Sequence, residues 1–171
     1  MPHIPYADGG PLELVEAMKT RRGGELLNLD RMLLNSPVFA EAWNGFIGTV
    51  RTGLTISLKL QELAICTIAV LNGADYELHH HGPVFLRAGG TAEQLEALRK
   101  PTGAGPFFDE SERAVLGLAV EMTREIEVSP ATRERLRMHF SNQEAVELIG
   151  VIAAYNMVSR FLIATGIEIE T

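Results

Sequence analysis

Residues 56–71 read ISLKLQELAICTIAVL, and this stretch decides the fold. After Glu62 the run is apolar nearly all round, the pattern of a helix buried on most of its faces. No window of comparable length alternates apolar and polar residues between turn signals, apart from a weak tail, IEIE, at 167–170. The core of this chain is therefore expected to be built from helices.

Outward from that stretch the punctuation reads as helix after helix. Toward the N-terminus, Ser36-Pro37 pairs an N-cap with a proline at the first helical position and opens a helix to about Val50. Before it, a short amphipathic helix carries Leu12, Val15 and Met18, and residues 1–10 form an irregular arm. Toward the C-terminus, Asp75 is expected to cap a helix that Gly89-Gly90 ends. Thr91 with Gln94, Asp109 with Glu112 and Ser141 with Glu144 each form a capping-box pattern, and Ser129-Pro130 opens a further helix. Residues 100–108, KPTGAGPFF, read as a loop. The expectation is an all-α bundle of seven or eight helices in a single domain over 1–171.

Composition agrees. Hydrophobic residues make up 46% and aromatics only 6%, so the apolar content is aliphatic and suits helix packing better than a β-sandwich. A net charge of -7 argues against general nucleic-acid binding, which needs a basic surface. Apolar stretches are broken before the ~18 residues of a membrane span, so no membrane partner is expected. The start, MPHIPYADGG, lacks the basic and apolar regions of a secretory signal, which places the chain in the cytoplasm. Cys66 is the only cysteine, so no CxxC chemistry is available.

The densest polar cluster is Tyr76, Glu77, His79, His80 and His81. On a helix Glu77 and His81 lie four apart and share a face, as do Tyr76 and His80. Three consecutive side chains spread over about 200°, so at most two of these histidines face one pocket. Pro83 cannot donate to the carbonyl of His79, and a kink or a fresh helix start is expected beside the histidines. Glu62 lies at the edge of the apolar run. Arg160, with Asn156 one turn earlier, lies in AAYNMVSRFLIA, where an arginine on a mostly buried helix needs an acidic partner, from the protein or from a ligand. Glu62 and Arg160 form either a structural ion pair or parts of a site. A divalent-metal site from Glu77, His81 and Glu62 or His80 is a second reading, although no HExxH pattern is present.

The segment ELAICTIAVLNGADYELHHHGPVFLRAGGTAEQLEAL, Glu62 to Leu98, resembles the core motif of the carboxymuconolactone decarboxylase family. The shared features are a Glu opening an apolar helix, a small-residue turn, an aromatic-Glu segment leading into histidines, and a Thr-led short helix. YNMVSRFLIATGIE, Tyr155 to Glu168, resembles the family's closing helix. The wider alkylhydroperoxidase-like superfamily carries Glu, then CxxC, then His. Glu62 and His81 match the first and last of these, while the cysteine positions fall on Ala74 and Glu77. Neither can supply a thiolate, so peroxidase or disulfide-reductase chemistry is set aside.

The resemblance implies cofactor-free loss of CO₂ from a small carboxylated lactone, with no metal. His81 tuned by Glu62 is the implied acid/base and His80 a second candidate. Arg160 with Asn156 would hold a carboxylate, and Tyr76 and Glu77 would shape the pocket or orient a histidine. The resemblance also implies a homo-oligomer (dimer, trimer or hexamer), and a non-catalytic oligomeric paralogue is a further alternative.

Overall fold

A computed structural model describes residues 1–99 and 106–170. Residues 100–105 of the expected loop lie outside the described residues. The rest is all-helical, with nine α-helices among the described residues and no strand, the IEIE tail included. The helix beyond expectation is α2, Asn28–Leu33, whose six residues are too few to show a period.

The chain forms two compact units. The first comprises Met1–Gly53 and Phe161–Thr171 and holds α1 (Leu12–Arg22), α2 and α3 (Pro37–Thr52). Trp43 of α3 lies against Phe161 with ring centroids 5.1 Å apart, and Phe39 meets both rings. Asp30 is fully buried and takes a bidentate contact from Arg22 at 2.8 and 3.0 Å, a third from Arg21 at 3.2 Å, and the Leu27 amide at 3.0 Å. A buried carboxylate is stable only when so fully matched.

The second unit, Leu54–Arg160, contains α4 (Leu58–Asn72), α5 (Asp75–Arg87), α6 (Ala92–Leu98), α7 (Glu110–Arg124), α8 (Pro130–His139) and the larger part of α9 (Asn142–Thr165). Every residue of α4 from Gln61 to Ala69 is buried, as the all-round apolar run requires, and α4 packs on α5, α6 and α7. Gly73 ends α4 at φ 68°, a left-handed position that glycine adopts without strain. The expected capping pairs of α6, α7 and α9 all form: Thr91 with Gln94, Asp109 with Glu112, and Ser141 with Glu144.

The start of α5 differs from expectation, and of the two outcomes expected at Pro83, a kink or a fresh start, the fresh start does not occur. Ala74, not Asp75, is the residue before α5, and Asp75 is its first helical residue. Pro83 starts no new helix, because α5 runs through it to Arg87. A proline inside a helix forfeits one hydrogen bond, and the packing of Tyr76, Glu77, His81 and Phe85 into the core holds the turn together. Helix α9 is long and apolar enough by length and composition to cross a membrane, yet 56% of its apolar window is buried inside the fold. That much burial is what a core helix shows.

Candidate functional site

The site is built from α4, α5 and α9 within the Leu54–Arg160 unit. Glu62 sits in the second turn of α4, where the residues that follow it fill the core. Its carboxylate is drawn in with them and is only 3% exposed. The deep placement of Glu62, expected at the core edge, requires a partner. That partner is His81, whose Nδ1 lies 2.7 Å from Glu62 Oε2. With Glu62 ionised, Nδ1–H donates to the carboxylate, which fixes the tautomer and directs the chemistry to Nε2. Nε2 makes no hydrogen bond among the described residues. The imidazole is 8% exposed and its edge meets the Tyr155 ring, with centroids 5.1 Å apart.

Glu77 lies one turn before His81 on the same face of α5 and is 2% exposed. Ser159 Oγ stands 3.0 Å from its Oε2 and 2.9 Å from the Tyr155 carbonyl oxygen. Burial pushes the Glu77 carboxyl up to about 8; the Ser159 contact opposes that rise and the charge of Glu62 adds to it. Cys66 is fully buried, and burial together with the carboxylates of Glu62 and Glu77 pushes its thiol up. A thiol held in that form is no nucleophile, which agrees with the absence of a second cysteine.

The three histidines separate as the helical geometry demands. His81 points inward, while His79 is exposed and His80 is half-buried against the Tyr76 ring, 4.5 Å between centroids. A cavity of about 310 Å³ lies on the other side of α5, lined by Asp75, Leu78, His79, Pro83, Leu95 and Arg99 among others, and His81 is not part of it. Among the described residues no three His, Cys, Asp or Glu side chains converge as a metal site would require.

Arg160 departs from expectation. It is exposed, so it needs no acidic partner from the protein, and its Nη1 donates to the carbonyl and side-chain oxygens of Asn156 at 2.9 and 3.0 Å. Asn156 is itself buried and joins three helices: its Oδ1 also accepts from Asn72 of α4, and its Nδ2 donates to Thr123 of α7. The Glu62–Arg160 ion pair therefore does not form; Glu62 is engaged by His81. Sequence reasoning missed Tyr155 and Ser159. Their signal was present as two polar groups at i, i+4 on the apolar closing helix, one position before Asn156 and Arg160 and hence turned about 100° from them.

No curated protein matches the chain. Among solved structures, an uncharacterized peroxidase-related protein from Silicibacter sp. TM1040 is 24% identical, with a TM-score of 0.82 over 99% of this chain and 91% of that one. An uncharacterized peroxidase-related protein with an alkylhydroperoxidase AhpD core, from Ralstonia eutropha JMP134, is 17% identical, with a TM-score of 0.83 over 99% and 92%. The debrominase Bmp8 without ligand is 23% identical, with a TM-score of 0.75 over 94% and 86%. At these identities the likeness is one of fold. Residues 37–121, about half of the chain, match the sequence profile of the carboxymuconolactone decarboxylase family. By that match the chain belongs to the carboxymuconolactone decarboxylase family, with no CxxC pair and with a helical fold like that of the AhpD-like solved structures.

Proposed function

We propose that this protein is a cofactor-free acid/base enzyme that acts on a small carboxylated or lactone substrate, and that its reaction is a decarboxylation. The observation that carries the reading is the buried Glu62–His81 pair, 2.7 Å between Oε2 and Nδ1. A carboxylate-oriented imidazole is a general acid/base, and burial beside apolar side chains strengthens its effect on a bound reactant.

In the reaction the bond between carbon and the leaving carboxylate breaks and its electron pair passes into the lactone π-system. His81, as the imidazolium that Glu62 stabilises, delivers its Nε2 proton to a carbon of that delocalised anion, and the neutral imidazole takes its next proton from solvent. Arg160 is the carboxylate-binding group in this reading, held by Asn156, with His80 a second acid/base candidate and Tyr76 shaping the site. The family membership and the presence of a debrominase among proteins of this fold support a catalytic role.

The test is a thermal-shift panel of carboxylated lactones, dicarboxylates and keto acids, followed by turnover of whichever compound stabilises the protein. A rise in Tm with a carboxylated lactone, lost in Arg160→Ala, supports the reading. Turnover that survives His81→Gln contradicts it.

A further inference from the structure

Glu77 is a buried carboxyl group whose charge nothing balances. Its Oε1 is buried and has no hydrogen-bond partner, and its Oε2 has one, Ser159 Oγ. No Lys, Arg or His forms an ion pair with it among the described residues. The groups gathered around it are Glu62 and Cys66 from α4, His81 from its own helix, and Tyr155 and Ser159 from α9. Of these only His81 can be cationic, and its Nδ1 is already engaged by Glu62. A lone carboxylate in such a place takes up a proton in preference to remaining charged.

The hydroxyl of Ser159 leads to the same conclusion by a separate route. Its Oγ lies 2.9 Å from the Tyr155 carbonyl oxygen and 3.0 Å from Glu77 Oε2. A hydroxyl has one proton to give, and a carbonyl oxygen has none. A charged Glu77 has to share the single Ser159 proton with the Tyr155 carbonyl, whereas a protonated Glu77 donates to Ser159 Oγ and leaves that proton to the carbonyl. Both Ser159 contacts are then satisfied without a charge on Glu77.

We propose that Glu77 is the proton-holding acid of this cluster: uncharged at neutral pH, it leaves Glu62 as the single carboxylate, paired with His81. The inference rests on the reading of Glu62 and His81 as the working acid/base pair and assigns the third member its protonation state. Two carboxyl groups whose surroundings drive them to opposite forms divide acid and base roles between them.

The test is infrared spectroscopy of the full chain at about pH 6. The wild type is expected to show a protonated-carboxyl C=O band that shifts in heavy water, disappears by about pH 10, and is missing from Glu77→Gln. No such band in the wild type, or a band that persists in Glu77→Gln, overturns the proposal. The His81 imidazole titration followed by NMR is the second readout. Glutamine mimics a neutral glutamic acid, so Glu77→Gln should leave the His81 midpoint within about 0.3 units of wild type; a fall of about one unit, tenfold in proton affinity, means that Glu77 is charged. Should Glu77→Gln not fold, the wild-type band and its loss on raising the pH still decide the matter. Neither readout involves turnover, so a failed substrate search counts against the enzyme assignment and leaves this one to its own test.

Discussion

Glu62, His81 and Glu77 make different demands on the solvent, and their differences set the behaviour of the site. Replacing His81 by Gln removes the proton carrier and is expected to lower kcat by roughly 10²–10⁴-fold, with Glu62→Gln giving a smaller loss in the same direction. Stopped or continuous assay of CO₂ release would measure both. Glu77 has a consequence for stability as well. Its carboxyl titrates at 4.5 when unperturbed and at about 8 in the fold, so between those values the folded chain holds a proton that the unfolded chain has lost. Its stabilising contribution is therefore full below about 4.5 and falls as pH rises, by on the order of 1 kcal/mol per unit, until about pH 8. Denaturant midpoints across that range should decline in the wild type and lose this component in Glu77→Gln. Equal slopes in the two proteins would contradict the assignment.

At the scale of elements, the site depends on how α9 is fastened to α4 and α7. Asn156 does this with Asn72 and Thr123, so Asn156→Ala is expected to cost roughly 1–3 kcal/mol by removing a buried amide and leaving its half-buried partners unmatched. Arg160→Ala, an exposed change, should cost less than about 0.5 kcal/mol, so any loss of ligand binding in that variant is not a folding effect. Chemical denaturation of the two variants side by side measures the contrast. The caps and the apolar α4 run were legible in the sequence because each is a local signal, such as Asp109 with Glu112 or nine consecutive buried positions after Leu60. Asn156 as a three-helix junction was not, since Asn72 and Thr123 meet it only through tertiary packing. Arg160 was misjudged for a similar reason: the helix around it is apolar, but its own position faces out. Glu62 could be placed near the core from sequence, whereas its choice of His81 over Arg160 required the relative rotation of α4, α5 and α9.

For the molecule as a whole, family membership reaches the fold and residues 37–121, while the reaction remains a matter of the site. We propose an exposed apolar row on α9 as the place for self-association. Val146, Ile149 and Met157 are 68%, 42% and 38% exposed and follow one another at helical spacing along α9. A row of apolar side chains left in water favours association with another copy. Light scattering is expected to give a mass above 18.7 kDa that falls in Ile149→Asp, and a monomer at every concentration would contradict this. Proton transfer to carbon by Glu62 and His81 is measured by turnover, in heavy water, of whichever carboxylated lactone stabilises the protein, with the product analysed by NMR. Deuterium is expected on the ring carbon that receives the proton, together with a loss of at least about 100-fold in rate for His81→Gln. Turnover at an unchanged rate in that variant, or a stabilising lactone bound but never decarboxylated, would contradict proton transfer by this pair.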